Sequence, residues 1–264
     1  MQRIRELTNR FKLGHFIHFS QNIIVAVLVL VLVKLGLTGV ALTLVLISKW
    51  RIFAVQPRYW FVNLRANGAD IIVGLSLVSI LYLMNQNIES ENQDLILISQ
   101  AILAFFYAIW LVYIKPKSSE IFVALQSICA LFLGSIALFW VAEMKNLPET
   151  AVILMVWMMA LIAARHFLSS YEEPLIRAIS FGWALIVAQL AWLLNRWEIV
   201  YSISGIVLIS QFSIVVTVLA FYCGLAYHME KTQKLSKPKL IKIMSGACAI
   251  ILMIIILSDW KVDI

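Results

Sequence analysis

The chain has 264 residues, 62 % hydrophobic and 13 % charged, and its mean hydropathy is +0.94. That composition is more apolar than a soluble core of this size needs, and it fits helices crossing a bilayer, where about 20 apolar residues span the hydrocarbon. The net charge of +7 does not signal nucleic acid, because the cations sit in short loops beside apolar runs and so face lipid headgroups.

From the N-terminus, Arg3, Arg5, Arg10 and Lys12 precede the first apolar run, as in a signal peptide. No small-x-small cleavage site follows Val33, so the run reads as a retained span. Runs bounded by charge, proline or polar clusters give nine spans, at 16–33, 35–50, 70–86, 94–114, 121–142, 150–168, 176–194, 199–227 and 240–258. Residues 1–264 then form a single integral membrane domain. Backbone groups unpaired in lipid cost several kcal/mol, so spans must be helices or a closed barrel. The apolar residues run on without alternation, which favours helices. The expected fold is therefore an all-α polytopic bundle.

Only Lys34 separates the first two runs. One helix of about 30 residues there would be roughly 45 Å long, with a lysine at its centre costing about 2.5–3.5 kcal/mol. A hairpin turn beside Gly36 and Gly39 avoids that cost. With the hairpin, 17 of the 21 cations fall on one side, and only Lys34, Lys145, Arg196 and Lys261 fall on the other. The positive-inside rule then places the N-terminus in the cytoplasm. The eighth run, 199–227, reads as one long helix that tilts strongly or projects beyond the membrane.

The segment from Lys49 to Gly74 carries most of the candidate chemistry. Its first half mixes Lys49, Arg51 and Arg58 with Trp50, Phe53, Tyr59, Trp60 and Phe61, a composition that lies in the headgroup region. Its second half places Asn63, Asn67, Asp70 and Gly74 at a spacing that shares one helical face. One reading is the polar floor of a cavity, with Asp70 as a proton or cation acceptor and Arg51, Arg58 and Arg65 holding anionic headgroups. The other is that the arginines are positive-inside anchors and the amides join helices, Asp70 reaching water at the span edge.

A second constellation follows the sixth span: Arg165, His166, Tyr171, Glu172, Glu173 and Arg177. Arg165 and His166 extend the expected polar cavity, and Arg177 joins the headgroup contacts. Arg165 also suits the negative end of a helix, and Glu172 and Glu173 suit the start of the next. A histidine beside two carboxylates could instead do acid–base work. Within the spans, Gln100, Gln126, Gln189 and Gln211 either line a solute pathway or bond across helix interfaces.

His15 and His18 supply only two ligands, and His228 reads as interfacial, so no metal is expected. The cysteines Cys129, Cys223 and Cys248 lie singly in apolar runs and read as packing residues. Phosphate-loop, HExxH, GxSxG and GxGxxG patterns are absent, so neither a cofactor nor a catalytic residue is assigned.

Lys49–Ser76 and Ala164–Pro174 (ARHFLSSYEEP) resemble uncharacterised multi-pass membrane proteins of reduced-genome, candidate-phylum bacteria. The resemblance implies a bacterial inner membrane and no substrate. The expectation is a non-enzymatic membrane protein, either permease-like or a subunit of a membrane complex. Its partners would be membrane lipids, anionic on the cytoplasmic side, with a protein partner or homo-oligomer also open, and no nucleic acid. The alternatives are an enzyme acting on lipid headgroups through Asp70 or His166, and a purely structural scaffold.

Overall fold

The computed structural model describes residues 19–52, 54–86, 93–195, 199–203 and 207–258. The N-terminal basic residues, His15 and His18 lie outside them. Ten α-helices are described: α1 (Phe19–Lys34), α2 (Thr38–Ile47), α3 (Trp60–Ala66), α4 (Gly68–Gln86), α5 (Gln93–Ile109), α6 (Glu120–Lys145), α7 (Glu149–Ser169), α8 (Ile176–Asn195), α9 (Gln211–Lys231) and α10 (Lys237–Ile256). Among the described residues, the seven helices α4 to α10 are long and apolar enough to cross a membrane, α5 being extended to Ile114. The first two expected spans are shorter helices.

The break between α1 and α2 falls where Lys34 and Gly36 suggest. Gly36 takes a left-handed φ of 76°. The Leu37 N–H donates to the Leu32 carbonyl at 2.8 Å and the Gly36 N–H to that of Val33 at 3.0 Å, a Schellman stop. Two amides tie α1 at its ends. Asn22 Nδ2 donates to the Leu111 carbonyl at 3.2 Å, and Asn85 Nδ2 donates to the Val33 carbonyl at 3.1 Å. The start of α1 therefore lies beside the end of the α5 segment, and its end beside the end of α4. The chain returns through α2 to bring Lys49 against Asp70 at the head of α4.

Three apolar clusters hold the bundle. One joins α1, α2, α4 and α5, a second joins α6 to α9, and a third packs the late turns of α4 and α6 with Ile96 of α5. Helix α6 contributes to all three. Helix α4 is the most enclosed, with 67 % of its apolar window buried against 11 % for α10, which marks one as interior and the other as peripheral. Small residues permit this in α4: a Cβ on Gly68 would meet Ile162 Cγ2 at 2.5 Å, and one on Gly74 would meet Val45 at 2.7 Å.

The eighth run is not one helix. Val200–Ile203 and Val207–Ser210 form an antiparallel hairpin, β1 and β2, with Val200 opposite Ser210. Two β-branched stretches flank Ser204-Gly205 in the sequence, which is a hairpin pattern. Ser210 then caps α9 by accepting from the Ser213 N–H at 3.3 Å. What remains is 21 residues, about 31 Å, so the helix matches the hydrocarbon without strong tilt.

Candidate functional site

Polar groups gather at the end of the bundle where the cation-rich connections meet. Asp70, in the first turn of α4, is 7 % exposed and Lys49 is 4 % exposed. The Lys49 ammonium donates to Asp70 Oδ2, the Lys115 ammonium lies 3.0 Å from the same oxygen, and Trp110 Nε1–H donates to Oδ1 at 3.0 Å. A buried carboxylate with these three partners has both oxygens engaged and its charge compensated. Trp110 and Lys115 reach it together because Trp110–Ile114 is a π-turn, closed by the Lys115 N–H donating to the Trp110 carbonyl at 2.8 Å. In an ordinary α-helix, positions five apart point about 140° away from one another.

The same turn is held from its other side by Gln126 of α6. Gln126 Nε2 donates to the carbonyls of Ile114 at 2.7 Å and Lys117 at 3.0 Å. Its Oε1 therefore faces His166 Nε2, 2.7 Å away, and must accept, so Nε2 carries the imidazole proton.

The expected polar cavity residues each bond a different partner. The single helical face through Asn63, Asn67 and Asp70 is broken, because α3 stops at Asn67 and α4 restarts at Gly68. Asn-Gly is a turn signal, and Asn67 Nδ2 donates back to the Asn63 carbonyl at 2.9 Å. Asn63 Nδ2 reaches the Ile52 carbonyl at 3.5 Å. Arg165 Nε donates to Ser180 Oγ of α8 at 3.3 Å. Asp70 is largely buried among its partners. His166 faces Gln126 and not Glu172 or Glu173.

Among the expected headgroup contacts, Arg65 and Arg177 are exposed, and Arg58 lies 4.6 Å from the Tyr59 ring centre. Arg51 belongs to the turn Trp50–Ile52, and its side chain lies outside the described residues. Sequence reasoning missed Lys49, Lys115, Trp110 and Gln126 as partners. The one usable signal was that a carboxylate inside an apolar helix requires a cation.

A cavity of about 490 Å³ lies elsewhere, between α6, α7, α8 and α9. Its walls are apolar, from Ile128 and Leu131 of α6 to Trp183 of α8 and Ala220 of α9. Ile121 and Phe221 line it and are 74 % and 50 % exposed on the outer surface of the bundle, so the cavity is a cleft reaching that surface. Asn63, Asn67, Asp70, Arg165 and His166 are not among its lining residues.

Apart from Ser127, the polar side chains lining the cleft come from the start of α6, the α7–α8 connection and the end of α9. Glu120, Tyr171, Tyr227 and His228 form its rim. Tyr171 Oη and His228 Nδ1 are 2.9 Å apart, and the same nitrogen lies 3.3 Å from Glu120 Oε2. Behind them, the Tyr227 hydroxyl donates to Glu173, and the Lys231 ammonium lies 2.5 Å from Glu173 Oε2. The bonds from Lys231 and then Tyr227 hold the Glu173 carboxyl below its usual range. Burial, with Glu120 adding its charge, pushes the Tyr171 hydroxyl up. Phe167, Tyr171 and Tyr227 stack edge-on or tilted, with centroids 5.3 to 5.8 Å apart. The connection between α7 and α8 and the end of α9 thus build one rim from residues that read separately in sequence.

No protein-family model, curated protein or solved structure matches the chain. What can be said of the protein is that it is an all-α apolar bundle compatible with a polytopic membrane protein.

Proposed function

We propose that this chain is a nine-crossing membrane protein, its N-terminus and cation-rich end in the cytoplasm, which holds a membrane amphiphile in the α6–α9 cleft and carries or presents it without chemical change. The nine crossings are supported by the amides that set the two ends of α1 beside opposite ends of the bundle, and by the return of α2 to Asp70. The orientation is supported by the sequence, because nine crossings assign 17 of the 21 cations to one side. The bacterial inner membrane follows from the resemblance of Lys49–Ser76 and Ala164–Pro174. Arg58, Arg65 and Arg177 then meet anionic headgroups at the cytoplasmic surface.

The single observation that carries the functional reading is the cleft itself. It is apolar along its length, polar at one end, and reaches the outer surface of the bundle, as an amphiphile entering from the bilayer requires. The enzyme alternative draws on Asp70 and His166, and neither lines the cleft. Asp70 is already engaged by two lysines and Trp110, and His166 by Gln126.

The test is lipid retention. Protein purified in mild detergent should keep about one lipid per chain by mass spectrometry of the intact complex, and filling the cleft with Ala124→Phe or Ala164→Phe should displace it. Retention unchanged in both folded variants would overturn the reading.

A further inference from the structure

We infer that the amphiphile bound in the cleft is a lipid whose headgroup carries a protonated or quaternary amine, and that Glu120, backed by the Tyr171 and Tyr227 rings, is its counter-ion. This deepens the cleft reading and rests on it.

The charge at the rim opposes the charge of the surface around it. Seventeen of the 21 cations are assigned to this end of the bundle, yet the carboxylate that lines the rim, Glu120, has no lysine or arginine among the lining residues, and the Glu173–Lys231 pair lies behind it. Lys231 is already committed, 2.5 Å from Glu173 and 5.4 Å from the Tyr227 ring centre. Among the described residues lining the cleft there is no lysine or arginine to answer an anionic headgroup beside Glu120, whereas a cationic headgroup would meet a carboxylate of opposite charge.

Hydrogen bonding leaves room for the same partner. His228 Nδ1 stands between Tyr171 Oη and Glu120 Oε2, at 2.9 and 3.3 Å. A neutral imidazole offers that nitrogen either as a donor or as an acceptor. When that nitrogen accepts from Tyr171 it offers Glu120 no proton, and the carboxylate is then open to an ammonium donor. Glu120 is the accessible carboxylate of the two, its side chain 46 % exposed against 8 % for Glu173.

The aromatic groups supply the third element. Tyr171 and Tyr227 line the same cleft as Glu120, and ring faces attract a cation within about 6 Å of their centres. The cleft volume of about 490 Å³ falls within the roughly 300–1,000 Å³ of small-molecule sites. Because Ile121 and Phe221 open it to the outer surface, the bilayer is the source of the occupant.

The experiment is a competition on the full-length protein in detergent, with phosphatidylethanolamine and phosphatidylglycerol of identical acyl chains, read by mass spectrometry of the intact complex. The amine lipid should be retained about tenfold over the anionic one, a difference of about 1.4 kcal/mol. Glu120→Gln and Tyr171→Leu should each bring that ratio to near one. Either variant suffices if the other does not fold. A wild-type ratio near one, a preference for phosphatidylglycerol, or a preference untouched by both variants would overturn the inference. The first two of these outcomes leave the cleft as a lipid site. Displacement of neither lipid by Ala124→Phe or Ala164→Phe would instead remove the cleft reading beneath it.

Discussion

The ammonium of Lys49 donates to the carboxylate of Asp70 across 21 positions of chain, and both side chains are buried. Lys115 and Trp110 complete the shell from α5, so one carboxylate joins the entry to α4, the exit of α2 and the π-turn. Removing the carboxylate strands two cations, whereas removing Lys49 leaves Asp70 with Lys115. Asp70→Asn should therefore cost about 3–5 kcal/mol, and Lys49→Met less. Unfolding midpoints in detergent check the ranking, and equal losses would contradict it. The double variant should lose less than the sum of the singles.

Gly68 and Ile162 set how closely α4 approaches α7. A Cβ at Gly68 would fall 2.5 Å from Ile162 Cγ2. Gly68→Ala should cost about 1–3 kcal/mol through overpacking, and Ile162→Ala about 2–5 kcal/mol through its cavity. Made together, the two should be sub-additive by about 0.5 kcal/mol or more, since the new methyl enters the space the isoleucine vacates. Thermal unfolding of the four proteins tests this, and simple additivity would rule out the contact.

Glu173 links stability to pH. Its carboxyl lies below the ordinary value of 4.5 because Lys231 and Tyr227 hydrogen-bond the charged form. The unfolded chain therefore binds the proton first, and the stabilisation is present above 4.5 and is lost as pH falls through the lower folded value. The stability difference between wild type and Glu173→Gln should be full at pH 7 and shrink steadily on acidification below 4.5. A difference that grows with acid would carry the wrong sign.

Ser258 closes the other end. Its hydroxyl lies 2.8 Å from Gln211 Nε2, which donates to it, 2.5 Å from Tyr201 Oη, and 2.5 Å from the Ile254 carbonyl. Ser258→Ala leaves the Gln211 amide and the Tyr201 hydroxyl without this partner, at about 1–3 kcal/mol. Hydrogen exchange should rise in Val200–Ile203 and Val207–Ser210 and stay unchanged around Asp70.

Orientation is testable in a background lacking the three native cysteines. In intact cells, Lys34→Cys should react with an impermeant maleimide, and Lys234→Cys should react only after permeabilisation. The reverse pattern would invert the bundle.

Continuous apolar runs and the charges between them were enough to read the all-α apolar bundle, because hydrocarbon rewards such runs and leaves the backbone one way to satisfy itself. The turn at Gly36 was legible for a local reason, the cost of a lysine in mid-span. The stretch from Ile199 to Ser210 was misread because hydropathy does not separate a buried strand from a helix, although its β-branched runs and the Ser210 cap were in view. Partner choice was beyond the sequence. Asp70 could be seen to need a cation, but nothing local distinguishes Lys49 and Lys115 from the nearer Arg65, and only packing, with the π-turn, brings them in. Nor does spacing join Glu120, Tyr171 and His228, since their meeting depends on how α6, α7 and α9 lie against one another.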